Sequence, residues 1–311
     1  MNKIILENDK IIENEINESI KYDIFTNDTF GITSLTIQIE KDTELEINYN
    51  FRENTKIETT IIVNKNVNLQ LFEKINGENA KIRTKYYIKE NGNVTISKFN
   101  NIEEIKEYTI INLDEEKAKI KYNLKTIAHN EENYDILTYH NANNTISEIN
   151  PNGVNINDGK IKFNVSSFVP KGIVKCDASQ NNKIINLTNN ECIINPNLYI
   201  DEYDVTASHS AWIGTFKEEE LFYLESRGIK KSDAIKLLIK GFLTSKLEID
   251  EKELENIKNI IDEYWRWKNE RRLSNVKKRH NLFWQWSDNF KTKYTNWLIK
   301  RLLWKLFSKR T

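Results

Sequence analysis

Apolar and polar residues alternate with a period of two through most of residues 35–165, and this pattern constrains the fold more than any other sequence feature. Alternation places one set of side chains on a single face of a β-strand, where β-branched and aromatic residues fit well. The alternating segments include Leu35–Ile39, Leu45–Phe51, Ile57–Val63, Ile82–Ile88, Val94–Ile96 and Ala118–Leu124. They recur roughly every 10 to 12 residues, which predicts many short strands in a sandwich, a barrel or a stacked β-solenoid.

Asparagine and glycine separate these segments and predict the turns. They stand at Asn64, Asn66, Asn91, Gly92 and Asn93, and both residue types accept left-handed backbone angles. Tight two-residue hairpin signals are few, and the regular repeat length is compatible with a solenoid. The pattern by itself leaves the three β architectures open.

After Pro196 the sequence changes to helical spacing. Glu218 to Glu225 is followed by Gly228, which predicts the end of a helix because glycine accepts the left-handed cap conformation. Apolar residues at Ala234, Leu237 and Leu238 predict a further helix.

The charges are divided unevenly along the chain. The segment from Tyr264 to the end carries 14 of the 46 Lys and Arg residues but only two of the 46 Asp and Glu residues. It is therefore strongly basic, while the preceding body is acidic. Six of the seven tryptophans lie in the same segment, so a compositional boundary falls there.

Few residues are arranged for metal binding or catalysis. The four histidines and two cysteines, Cys176 and Cys192, show no spacing typical of metal ligands, and the chain contains no phosphate-binding loop of the GxxxxGK[ST] type. We expect Cys176 to be a small buried side chain. The chain opens with no secretory signal and contains no long apolar run, so we expect a cytoplasmic protein.

A resemblance to a known family is carried by ordered motifs between about 135 and 245. Asp204–Gly214 reads DVTASHSAWIG and resembles the D-V-x-x-S-H-G-A-x-x-G segment of SufD. Leu221–Ile229 is similar to L-F-Y-L-x-S-R-G-I, and Asp177–Asn182 and Pro196–Ile200 match segments further upstream. The chain is identified as a SufD-like member of the SufB/SufD family of iron–sulfur cluster assembly.

This resemblance implies a mostly β chain with a right-handed parallel β-helix core, followed by a small α-helical C-terminal domain. The basic, Trp-rich tail has no match in the family, and we expect it to be helical because no Gly or Pro interrupts it. It implies a non-catalytic scaffold subunit that pairs with a SufB-like protein, or with a second copy, and binds the SufC-like ATPase. No cofactor would be held stably by the chain alone, and an iron–sulfur cluster would be present transiently in the assembled complex.

The resemblance also assigns site residues. His209 aligns with the family's conserved histidine and would contribute to a nascent cluster at the subunit interface. The alternative is a structural role for His209 in a turn after the last β-helix strand. The cysteine of SufB has no counterpart here, because the matching position falls near Asn182. Ser210 and Trp212 replace the family's usual Gly and Thr. Tyr223 and Arg227 are candidates for partner binding, with a local structural role as the alternative.

These inferences divide the chain into four parts. An N-terminal lead-in covers 1–29, the β-helix core 30–205, an α-helical domain 206–265 and the basic tail 266–311. For the tail we favour packing against the acidic body or a partner over membrane contact, and we expect no nucleic-acid partner. The alternative function is a β-solenoid binding protein without a role in cluster assembly, associated with a surface through its basic aromatic tail.

Overall fold

The computed structural model describes residues 2–27, 32–52, 54–156 and 159–266. The chain forms two compact units, 1–258 and 259–311. The first unit contains all the strands given below, and the described residues of the second, 259–266, are helical. The predicted tail lies outside the described residues from Trp267 onwards.

Strands make up most of the first unit, and all of them belong to one continuous sheet. The strands are β1 (Asn2–Glu7), β2 (Lys10–Glu15), β3 (Ile20–Asn27), β4 (Ile32–Ile39), β5 (Thr43–Phe51), β6 (Thr55–Val63), β7 (Asn68–Ile88), β8 (Asn93–Leu113), β9 (Lys119–Ala128), β10 (Glu131–His140), β11 (Ile146–Asn155), β12 (Lys160–Val169), β13 (Cys176–Asn186), β14 (Ile193–Ile200) and β15 (Val205–Gly214). Helices α1 (Glu218–Ser226) and α2 (Lys231–Thr244) follow, and a third helix, α3, begins at residue 251.

The strands coil into two parallel stacks. Stack A consists of β1, β5, the first halves of β7 and β8, then β9, β11, β13 and β15; stack B consists of β4, β6, the second halves of β7 and β8, then β10, β12 and β14. From β4 onwards, paired residues are one coil apart in sequence, as in Ile32 with Lys56 and Ile146 with Asp177, so a coil contains 24 to 31 residues. The coils form about seven turns, which confirms the predicted β-solenoid.

Strand β7 passes from one stack to the other at Gly77. This residue has a φ of +127°, and a Cβ atom built on it would lie 1.9 Å from the carbonyl oxygen of Phe51. Only glycine fits a backbone approach this close. The bend allows one strand to pair with β5 before Gly77 and with β6 after it.

The core lies between the two stacks and follows the alternation seen in the sequence. In β6 and β10, for example, every second residue is buried, and the same holds for β12. The largest fully buried apolar and aromatic side chains include Tyr49, Phe51, Tyr86, Phe99, Tyr122, Tyr134 and Phe163. Their removal from water provides the main stabilisation of the solenoid.

A column of left-handed residues marks one corner of successive coils. Asn66, Asn91, Lys117, Asn144 and Lys175 have φ between 54° and 61°. Each donates its backbone N–H to a carbonyl of the next coil, for example Asn66 to Glu90 at 2.8 Å. The prediction of turns at Asn66 and Asn91 is confirmed, and two of the later coils place a lysine, Lys117 or Lys175, in the same conformation.

Two predicted boundaries differ from the strand limits. The region predicted as an N-terminal lead-in, 1–29, contains β1, β2 and β3. The sequence pattern did not indicate all of them, because a polar strand such as β2 lies at the sheet edge and lacks apolar alternation. Strand β15 begins at Val205 and lies almost entirely within the predicted helical domain, 206–265. The pattern did not predict this strand, because its residues are mostly exposed and show no alternation of buried and exposed positions. The division into domains itself stays a prediction.

The first helix ends as predicted. Gly228 has a φ of +85°, its N–H donates to the carbonyl of Glu225 at 2.9 Å, and the Ile229 N–H donates to Leu224 at 3.2 Å. These bonds satisfy the carbonyls left free at the helix end.

The segment after α2 returns along the outer face of stack A. Lys246 pairs with Glu148 on β11 at 3.1 Å, Glu248 with Lys121 on β9 at 2.9 Å, and Glu253 with Lys74 on β7 at 3.1 Å. We call residues 245–253 the strap, since they connect α2 to several coils.

Candidate functional site

The C-terminal end of the β-helix is formed by β14 and β15. Within the described residues, β14 pairs only with β12 and β15 only with β13. The outer edge of each strand therefore presents backbone N–H and C=O groups to which another strand could bind. At the other end, the antiparallel strands β2 and β3 flank the first coil.

His209 lies on this last rung of stack A. Its backbone is directly opposite Gln180 of β13, and Gln180 is a buried, inward-facing residue. Directly paired residues of neighbouring strands share a face, so His209 continues the inward-facing column of side chains. Because no further coil covers it within the described residues, its side chain is exposed. We predicted His209 after the last strand, but it lies inside β15.

Two side-chain amide oxygens are buried close to His209, on the neighbouring strand β13. Gln180 donates its amide N–H to Ser167 Oγ at 2.9 Å, and Asn182 donates to the Ser210 carbonyl at 2.9 Å. The side-chain oxygens Oε1 of Gln180 and Oδ1 of Asn182 accept no hydrogen bond from the part of the chain that the structure describes. A buried acceptor without a partner costs about 1–3 kcal/mol.

The two residues that depart from the family motif point away from His209. Ser210 and Trp212 alternate with it along β15, so they belong to the outer face. The Ser210 hydroxyl lies 3.0 Å from Asn181 Oδ1, and the Trp212 ring lies 5.3 Å from the Lys183 ammonium. Their substitution leaves the inner face around His209 unobstructed.

Tyr223 and Arg227 are in contact at the C-terminal end of α1. The Arg227 guanidinium lies 4.7 Å from the centre of the Tyr223 ring, a cation–π geometry. Helix α1 has no buried residue, and Phe222 beside the pair is 72% exposed. The structure thus joins the two predicted residues into one feature with an exposed aromatic surface.

Cys176 and His140 are buried in the core, and Cys192 packs against it. Cys176 is buried as predicted, and its thiol lies 3.2 Å from the Thr145 hydroxyl. The same hydroxyl lies 2.8 Å from Nδ1 of His140, whose pKa burial lowers to about 4. His140 is consequently neutral. Cys192 is half-buried.

Among the described residues, no group of three or more His, Cys, Asp or Glu side chains is arranged to hold a metal ion. His209 thus belongs to no such group in that part of the chain. No helix there is long and apolar enough to span a membrane.

Sequence reasoning missed a buried charged cluster inside the solenoid. Lys98 lies 3.3 Å from Glu73 and 2.5 Å from Glu107, with all three side chains almost inaccessible. Burial opposes the charge on Lys98, but attraction by Glu107 and Glu73 outweighs it and raises the Lys98 pKa. The partners are 25 and 9 residues away along the chain, so no local motif indicates the cluster.

Comparison with known proteins gives a consistent result. The family model of the SufBD core domain, from the SUF system of FeS cluster assembly, matches residues 25–242. The iron–sulfur cluster assembly protein SufD of Bacillus subtilis is 38% identical over 97 residues, which cover 31% of this chain and 22% of that protein. The iron–sulfur cluster assembly protein SufD of Escherichia coli is 35% identical over 85 residues, which cover 27% of this chain and 20% of that protein.

A SufBD family protein of Pyrococcus horikoshii is 45% identical over 64 residues, which cover 20% of this chain and 14% of that protein. The matched segments therefore span about a fifth or less of each of these three relatives.

Proposed function

The chain belongs to the SufBD core family of the SUF iron–sulfur cluster assembly system, and we propose that it acts as a non-catalytic scaffold subunit. In this proposal it pairs through the C-terminal end of its β-helix with a SufB-like protein and binds a SufC-like ATPase through its helical segment. The cluster under assembly is cargo, held transiently by the complex.

The observation that carries the proposal is the position of His209. Its exposed imidazole closes an inward-facing column at an end of the solenoid where both terminal strands have open edges. A neutral imidazole nitrogen can bind iron. Since His209 belongs to no group of three or more potential ligands among the described residues, the proposal assigns the remaining ligands to the partner. A thiolate is the ligand type that iron–sulfur clusters prefer.

The exposed face of α1 supports an interaction with a second partner. Phe222 and Tyr223 are 72% and 55% exposed, and Arg227 fixes the Tyr223 ring. Exposed aromatic residues beside an arginine are typical of protein interfaces. The sequence has no phosphate-binding loop, so ATP hydrolysis in the complex would come from the partner.

The test is reconstitution with the SufB-like and SufC-like proteins of the same genome. We expect the three proteins to elute together in gel filtration. We expect His209→Ala to leave this complex intact and to lower the iron and sulfide recovered with it several-fold. The matched control is Ser208→Ala, because Ser208 lies on the same strand but faces outwards.

Two results would contradict the proposal in different ways. An unchanged cluster yield with His209→Ala would remove the histidine from the mechanism and leave only partner binding. A failure to form any complex would favour the alternative, a β-solenoid binding protein outside cluster assembly.

A further inference from the structure

A ladder of aromatic rings runs along the outer face of stack B and ends at the open edge. Tyr139, Phe168 and Tyr199 occupy the same register position on β10, β12 and β14. Their ring centres are 4.7 Å apart in each step, with interplanar angles of 10° and 7°. Tyr199 is 52% exposed, since it is the last rung.

A second ladder on the same face consists of hydrogen-bonded side chains. Asn195 donates its amide N–H to Asn164 Oδ1 at 2.8 Å, and Asn164 donates to Asp135 Oδ1 at 2.6 Å. The donors all point in one direction along the solenoid. The Asn195 side-chain oxygen is therefore the acceptor left at the open edge.

The spacing of these ladders determines what a further strand would meet. Neighbouring strands of a sheet lie about 4.8 Å apart, which matches the ring spacing. A strand that hydrogen-bonds to the free edge of β14 would therefore place one of its side chains in stacking position over Tyr199. The residue four positions away on that strand would face Asn195.

We propose that the partner of this end adds a strand to β14 with a planar side chain opposite Tyr199 and a hydrogen-bond donor opposite Asn195. Aromatic rings and the arginine guanidinium are the planar groups that stack on tyrosine. This inference rests on the proposed pairing and specifies the chemistry of the partner strand.

A second copy of this chain does not meet the requirement. In a two-fold antiparallel pair of β14 strands, Tyr199 would face Tyr199 of the other copy only if the axis passed through that residue. The strand ends at Ile200, so such a pair would join only residues 198–200. An axis at the centre of the strand, at Asn197, places Asn195 opposite Tyr199 and ends the ring stack. The partner strand accordingly belongs to a different protein.

The test measures the affinity of the full chain for the SufB-like protein by isothermal titration calorimetry. We expect Tyr199→Ala to weaken binding about tenfold, because the ring stack is lost. Tyr199→Phe keeps the ring and should bind within about twofold of wild type. Asn195→Ala should weaken binding about fivefold. Tyr203→Ala is the control, since Tyr203 is fully exposed outside the ladder and outside any strand.

A photo-crosslink identifies the partner residue directly. With benzoylphenylalanine in place of Tyr199, we expect mass spectrometry to find the crosslink at or next to an aromatic residue or an arginine of the partner. Crosslinking to a strand with no planar residue there, or equal affinities for Tyr199→Ala and wild type, would overturn the inference while leaving the pairing intact. A Tyr199-dependent homodimer would also overturn it. If wild type did not bind the SufB-like protein, the pairing and this inference would both fail.

Discussion

Lys98 and Glu107 form an ion pair inside the solenoid, with 2.5 Å between the ammonium nitrogen and Oε1 of the carboxylate. Glu73 lies on the other side of Lys98 at 3.3 Å and accepts a hydrogen bond from the Tyr86 hydroxyl at 2.8 Å. Two carboxylates therefore share a single ammonium in a region that solvent does not reach. The arrangement depends on three neighbouring strand segments that only the coiled fold brings together.

Replacing Lys98 by methionine should destabilise the protein strongly. The substitution keeps the apolar volume of the side chain but leaves Glu73 and Glu107 buried without their cation. Loss of one partner of a buried ion pair costs roughly 3–5 kcal/mol. Chemical denaturation at neutral pH measures this loss. Lys121→Met is the control, because Lys121 is 35% exposed in its pair with Glu248. A loss for Lys98→Met no larger than for the control would contradict the prediction.

Glu132→Gln should change the pH dependence of stability. Burial raises the Glu132 pKa to about 8, against hydrogen bonds from Thr126 and Tyr134 that lower it. A carboxyl whose pKa is higher in the folded state than in the unfolded state stabilises the fold most below its unfolded-state pKa. For Glu132 this stabilisation is lost as the pH rises from about 4.5 through about 8. Glutamine cannot ionise. Between about pH 4.5 and 8, the free energy of unfolding of the variant should therefore rise relative to that of wild type, by at most about 1.4 kcal/mol per pH unit.

Denaturation of both proteins across this pH range measures the difference. Glu131→Gln on the same strand removes an exposed carboxylate and should change the free energy of unfolding by less than about 0.5 kcal/mol. A difference between Glu132→Gln and wild type that stays constant with pH would contradict the assignment.

The alternation of apolar and polar residues predicted many short strands, and the family resemblance then favoured the solenoid over a sandwich or a barrel. The sequence predicted the corner at Asn66 and Asn91 because asparagine itself indicates left-handed angles. Lys117 adopts the same conformation with no such signal. The inward position of Lys98 breaks the alternation, and its partners are found only when the coil length is known.

The site was less predictable than the fold. The family motif located His209, but its direction follows from its pairing with Gln180, and β15 has no alternation from which to infer it. The aromatic ladder has only a weak signal in the sequence. Tyr139, Phe168 and Tyr199 recur at 29 and 31 residues, which is the length of the coils in that region.

Lys117→Asn should stabilise the protein by roughly 0.5–1 kcal/mol. Lys117 has a φ of +60°. This left-handed backbone conformation is unfavourable for most residues, and asparagine tolerates it better than lysine. The reciprocal variant, Asn144→Lys, places lysine at the equivalent corner, where φ is +61°. Asn144→Lys should lower the free energy of unfolding by a similar amount. Thermal unfolding of the two variants measures both changes, and shifts of the same sign would contradict the explanation.

The strap should stabilise the solenoid through one partly buried pair. Lys74 and Glu253 are 15% and 9% exposed and lie 3.1 Å apart. Glu253→Lys places two ammonium groups together and should cost roughly 2–3 kcal/mol. The exchanged double variant Lys74→Glu/Glu253→Lys should recover more than half of that loss, because the attraction is restored with its sign inverted.

Glu255→Lys is the matched control for the strap. Glu255 lies two residues further along and pairs with Lys258, with the two side chains 63% and 37% exposed. Exposed pairs contribute less than about 1 kcal/mol, so this reversal should have little effect. If Glu253→Lys and Glu255→Lys caused equal losses, or if the exchanged double variant recovered nothing, the strap would be bound through its backbone contacts. One such contact is the hydrogen bond from the Glu248 N–H to the Ser97 hydroxyl at 2.8 Å. Ser97→Ala would then be the destabilising change.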